Sequence, residues 1–179
     1  MSRIVSRRPQ SSEYACDAAL EKMFQQVPGN DLLVVLRDQW PEFFDLIRSV
    51  GTDQVDEIHP PYRWTIRQVV AHLAEAERIF GYRILRFAAG DPAPLPGWDE
   101  NAYAESKYGL GGKLNRLVEE IELQRQTNLL LLRRLRPSAW DRQGQADGRS
   151  LTVRACGWLL AAHFNHHVKI LSQRINSGV

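Results

Sequence analysis

At 179 residues, 44% hydrophobic and 25% charged, the chain has the composition of an ordinary globule, which excludes gross disorder. It is long enough for one domain, residues 1–179, to bury roughly 70% of its unfolded surface. The formal net charge of +2 is too small to point to nucleic acid, and no apolar run approaches the roughly 18 residues of a membrane span. Cys16 and Cys156 have no CxxC spacing and read as small buried hydrophobes in a reducing compartment. Met1 to Arg8 lack the apolar core of a secretory signal, so a cytoplasmic protein is expected.

In chain order, residues 1–11 read as an extended arm containing Pro9, with Arg3, Arg7 and Arg8 solvated. Ser11-Ser12-Glu13 can cap a short helix carrying Tyr14, Ala18, Met23 and Phe24, stopped by Pro28-Gly29. Asn30 or Asp31 starts a longer helix in which Leu32, Leu33, Leu36, Trp40, Phe43, Phe44 and Ile47 recur at helical spacing. Pro41 inside it predicts a kink. After Gly51 comes a polar connection over 52–63 through Pro60-Pro61. Thr65 and Gln68 then form a capping box for a helix over about 65–89. Its stripe is Ile66, Val69, Val70, Leu73, Ile79, Phe80, Ile84 and Leu85, with His72 at or near the interior side.

Gly90-Asp91-Pro92 ends that helix, and the loop Asp91 to Asn101, stiffened by Pro92, Pro94 and Pro96, is long enough to suggest a functional role. A third long helix over about 112–136 carries Leu114, Leu117, Val118, Ile121, Leu129, Leu132 and Leu135, and Pro137 stops it. Gln143 to Arg149 reads as a polar turn. Ser150 or Thr152 then opens a last helix over about 151–175, with Val153, Cys156, Leu159, Leu160, Phe164, Val168 and Leu171 inward. No β-hairpin signal, repeat or low-complexity tract stands out. The expected fold is all-α: a four-helix bundle with a short extra N-terminal helix and a long loop between the second and third long helices.

Three of the five histidines fall in Ala161-Ala162-His163-Phe164-Asn165-His166-His167. At about 100° per residue, His163 and His167 share a helix face about 40° apart, which suits two imidazole nitrogens meeting one ion. His166 points about 100° away from His167, so it reads as a pocket-wall residue. The third donor must come from another helix, and His72 is the best placed. The competing account is a set of hydrogen-bonded core histidines with no metal. This is not the zincin motif, since Phe164 stands where HExxH needs its glutamate.

Three stretches carry a family resemblance: Trp64 through Arg78 with Tyr82-Arg83, Leu95-Pro96-Gly97-Trp98-Asp99-Glu100, and Ala162 through His167. So do Arg8-Pro9 with Glu13-Tyr14, and Val27-Pro28-Gly29-Asn30-Asp31. Together they resemble the DinB-like (YfiT-like) superfamily over nearly the whole chain, although Ala162 replaces a glycine common before the first histidine of the last helix. The resemblance implies a divalent metal, nickel or zinc, on His72, His163 and His167. It also implies homodimers, and either metal-dependent hydrolysis or transfer reactions that use a low-molecular-weight thiol on a small-molecule substrate. The alternative is a non-catalytic metal-binding or interaction bundle.

Three imidazoles leave a coordination position for water or substrate. Glu75, about 60° from His72 around the helix, is a candidate catalytic or supporting carboxylate, against an ion pair with Arg78 or Arg83. Glu77, about 140° away, is less suited to touch the ion. Asp99 is a second catalytic candidate, against the simpler role of helix N-cap. Trp98 is the tryptophan best placed to face a ligand, with Trp64 and Trp158 as packing residues, and His59 reads as a loop residue.

Overall fold

A computed structural model describes residues 5–109 and 111–176, so Arg3 and the first part of the expected arm lie outside it. The helices are α1 (Ala18–Gln25), α2 (Leu32–Arg48), α3 (Ile66–Ala89), α4 (Glu100–Ser106), α5 (Leu114–Arg133) and α6 (Val153–Asn176). Two short strands, β1 (Gln143–Ala146) and β2 (Arg149–Thr152), precede α6. The long helices form a ring: α3 packs on α5 and α6, and α2 closes the other side against the same two. This is the four-helix bundle the periodicity predicts. Its core includes Leu36, Phe43, Val70, Leu73, Ile84, Ile121, Leu160 and Phe164, all buried.

Local signals explain most element boundaries. Asp31 caps α2 by accepting from the Leu33 amide, and Thr65 and Gln68 make the reciprocal capping box of α3. Gly90 ends α3 in the left-handed region at φ 79°. α2 runs through Pro41 as one element. α3 and α5 approach closely at Gly81, where a Cβ would lie 2.2 Å from Asn128 Oδ1.

Four expectations need correction. Ser11–Tyr14 is a single 3₁₀ turn capped by Gln10, and left-handed Ala15 and Cys16 separate it from α1, which Asp17 caps. Cys16 is exposed, not buried. Phe44 and Leu85, assigned to apolar stripes, are 39% and 44% exposed, because each stripe is wider than its contact surface. The supposed polar turn before α6 is an antiparallel hairpin, Gln143 opposite Thr152 through Ala146 opposite Arg149. Its tip is Asp147-Gly148, both with positive φ (54° and 71°), as a tight hairpin turn requires. Leu95 in the proline-rich loop pairs with this hairpin, its amide donating to Gln145 O and its carbonyl accepting from Asp147 N. The loop is thereby held against the bundle.

Glu13 ties the N-terminal segment down. Its carboxylate accepts from Arg7 Nη1 (2.7 Å), the Gln10 amide (2.7 Å) and Arg154 Nη1. Burial pushes its pKa up, but the Gln10 amide and the two guanidiniums outweigh burial and hold it below the ordinary 4.5. A lowered folded-state pKa adds stability above about pH 4.5 that is lost as pH falls through the folded value. Glu13→Gln is expected to destabilise the protein by about 1.5–3 kcal/mol at pH 7, with the gap closing near pH 3 in urea unfolding. A gap unchanged between the two pH values would assign it to packing instead.

Candidate metal centre

α3 carries His72 and α6 carries His163 and His167, and the pairing of these two helices brings the rings together. His72 Nε2 lies 2.9 Å from His163 Nε2, and the ring centroids stand 4.8 Å (72–163), 4.7 Å (72–167) and 4.5 Å (163–167) apart. One ring nitrogen from each lies within 4.8 Å of the others, the single such His/Cys/Asp/Glu group among the described residues. α6 is buried on every side from Val153 to Ala162, so the histidines enter at the point where the helix begins to meet solvent.

Burial sets the charge state. Desolvation lowers His72 to about 4. It lowers His163 to about 3 and His167 to about 2, where the neighbouring imidazoles add to the effect. All three rings are therefore neutral near pH 7, each with a lone pair available. Two Nε2 atoms at 2.9 Å cannot both be satisfied by one shared proton and also serve the third ring. The Nδ1 atoms of His72 and His163 are buried without hydrogen-bond partners among the described residues. A neutral imidazole has one lone pair, so a ring that gives Nε2 to an ion keeps its proton on Nδ1, and three such rings make an all-nitrogen donor set that fits a divalent cation.

Trp64 packs edge-on against His72 at 5.1 Å, Trp98 lies nearly parallel to it at 6.1 Å (28° between planes), and Phe80 flanks His163 at 5.7 Å. Trp98 is half-buried and lies under the Arg83 guanidinium, 5.3 Å from its ring centroid. His166 is exposed and touches the cluster only through His167, at 5.1 Å. Asp99 is exposed and caps α4 through the amides of Asn101 and Ala102, away from the histidines' donor group.

Glu75 does not pair with Arg78 or Arg83. The Tyr108 hydroxyl donates to its Oε1 (2.9 Å), and its Oε2 stands 3.9 Å from His72 Nδ1. Burial raises its pKa. Glu77 is neither solvated nor a partner of those arginines; it is fully buried against Arg125 and Asn128. A cavity of about 280 Å³ opens beside His72 between α3, α4 and α5, walled by Glu75, Arg78, Tyr103, Lys107 and Tyr108 among others. Sequence reading missed Tyr108 and Lys107, because nothing local marks a tyrosine after a short helix as a neighbour of Glu75, 33 residues earlier.

The fold and the cluster define a helical bundle with a three-imidazole centre. The chain belongs to the DinB superfamily, whose match covers residues 36–171. In structure it is similar to YfiT from Bacillus subtilis, described as a probable metal-dependent hydrolase with an unusual four-helix bundle topology. The TM-score is 0.69 and the identity 21%, over 97% of this chain and 99% of that one. It is also similar to a mycothiol-dependent maleylpyruvate isomerase (TM-score 0.64, 18% identity), over 87% of this chain but 60% of the isomerase. No curated protein matches the chain significantly. No helix among the described residues is long and apolar enough to cross a membrane.

Proposed function

We propose that His72, His163 and His167 hold a divalent metal ion, nickel or zinc, and that the protein is a metal-dependent enzyme acting on a small molecule. The reaction is hydrolysis or transfer using a low-molecular-weight thiol. The observation that carries this reading is the convergence of three neutral imidazoles, one buried and two half-buried, beside a cavity large enough for a ligand. The likeness to YfiT and to the mycothiol-dependent isomerase supports the two arms of the reaction class. A bound divalent ion lowers the pKa of a coordinated water or thiol toward neutrality. The chain's own part is to keep three imidazoles neutral, to fix them with Trp64, Trp98 and Phe80, and to leave the cavity side open. The test is elemental analysis of purified protein, followed by turnover of ester, amide and thiol-acceptor substrates before and after chelation. Stoichiometric metal with turnover lost on chelation is expected. Metal without turnover would leave a non-catalytic metal-binding bundle, and no metal would remove the centre.

We also infer that two copies pair through the outer face of α5. Leu123 and Leu130 are 56% and 63% exposed and seven residues apart, so they share one face. Tyr82 and Leu85 of α3 extend this apolar strip. Glu119, which also pairs with Arg116 at 2.7 Å, lies toward one end of the strip and Arg134, the C-cap of α5, toward the other. Antiparallel pairing of Leu123 with Leu130 of a second copy sets Glu119 opposite Arg134 twice, so the face complements itself. Light scattering is expected to give a dimer for the wild type and a monomer for Leu130→Glu. A wild-type monomer at micromolar concentration would end the inference.

A further inference from the structure

We propose that the cavity beside His72 is a subsite for a small zwitterion, an amino acid or short peptide, with its ammonium group on Glu75 and its acid group at Lys107. The proposal rests on the reading of this site as a metal-dependent centre, and it names the class of molecule that centre acts on.

Glu75 supplies the first observation. Its side chain is only 11% exposed, and its one close hydrogen bond comes from the uncharged Tyr108 phenol. Among the described residues no lysine or arginine stands within ion-pair distance of it. After the Tyr108 hydroxyl, its nearest titratable neighbour is the His72 ring at 3.9 Å, and Glu120, which lines the same cavity, is paired with Arg78. A largely desolvated carboxylate with no cationic side chain beside it is costly, and an ammonium group delivered by a ligand offsets that cost.

The second observation is aromatic. Tyr103 and Tyr108 both line the cavity and meet edge to face at 6.1 Å. Their ring faces attract an ammonium group and carry no preference for an anion. Carboxylate and phenyl groups together form the usual surroundings of a bound amine.

The third observation sets the other end. Arg78 is matched by Glu120 at 2.9 Å, so neither is the cavity's free charge. Lys107, an exposed residue that ends α4 in the left-handed region, also lines the cavity, with no carboxylate within ion-pair distance among the described residues. One unmatched carboxylate and one unmatched ammonium across about 280 Å³ complement a molecule carrying both charges. Such a molecule would lie along the wall that contains His72.

The test is calorimetric titration of the intact protein with alanyl-alanine, its N-acetyl derivative and its C-terminal amide, with metal content measured on every sample. The free dipeptide is expected to bind, and acetylation is expected to weaken binding at least about tenfold, the amide several-fold. Compared at equal metal content, Glu75→Gln should abolish the discrimination against acetylation, and Lys107→Met the discrimination against the amide. Should Glu75→Gln fail to fold, Tyr108→Phe, which frees the carboxylate from its anchor, is expected to reduce the same discrimination. Equal binding of free and acetylated dipeptide, or no binding to metal-loaded protein, overturns the proposal. Amine discrimination in protein that carries no metal would uphold the subsite and overturn the metal reading alone.

Discussion

His163→Ala is expected to weaken metal binding by at least about 100-fold while the bundle stays folded. Losing a group that merely supports a metal ligand costs 10- to 100-fold in affinity, so losing a ligand should cost more. His163 meets both other members of the cluster, its Nε2 2.9 Å from His72 Nε2 and its ring 4.5 Å from that of His167. The fold should survive because the deletion also removes a buried Nδ1 that has no partner among the described residues. The void and the relieved polar atom act in opposite directions, leaving the metal-free form within about 2 kcal/mol of wild type. In wild type, metal at 100 times its Kd adds about 2.7 kcal/mol of stability, and that increment should vanish in the variant. His166→Ala is the control, since the exposed His166 ring reaches the cluster only by way of His167. Elemental analysis with and without added metal, beside thermal unfolding, reads both effects. If His166→Ala loses metal as completely as His163→Ala, the ligand assignment is wrong.

The histidine cluster was legible in the sequence for a simple reason. His163 and His167 share a face by helical arithmetic alone, and His72 sits in the one other helix whose apolar pattern surrounds a histidine. The same periodicity gave the long helices and so the bundle. The hairpin was missed although Asp147-Gly148 is a strong turn signal, because the strands flanking it, Gln143–Ala146 and Arg149–Thr152, lack alternating apolar residues. Their stability comes from Phe87 packed over Gly144 and from Leu95 pairing at the edge, contacts made by residues distant in sequence. Glu75 illustrates the same limit from the functional side. Its angle to His72 follows from the helix, but its partner Tyr108 is set by where α4 ends.

The least legible feature is a polar network at the bundle's centre, and its disruption should produce the largest loss of stability. Arg125 of α5 donates through Nε to Glu77 Oε1 of α3 (2.7 Å) and through Nη1 to Leu36 O of α2 (2.8 Å). Asn128 donates to Glu77 Oε2 (2.7 Å), and Gln39 of α2 donates to Ala161 O of α6 (2.8 Å). The Arg125 guanidinium also lies 4.3 Å from the Phe164 ring centroid. All four bundle helices are thus tied at one level, beside the residue that precedes His163 by two. Arg125→Met would strand a carboxylate that is 1% exposed, a loss of about 3–5 kcal/mol. For a chain of this size that lowers Tm by roughly 6–20 °C. Replacing both charges, Arg125→Met with Glu77→Leu, should restore most of the stability, because the cost lies in the unpaired charge and not in the absence of the pair. Metal affinity should not recover in step. An apolar pair packs in several registers, whereas these directional bonds hold α3 and α6 at the offset that places His72 against His163. Calorimetry and metal titration on the three proteins separate the two roles: a double variant that recovers both Tm and affinity would reduce the network to a matter of charge satisfaction alone.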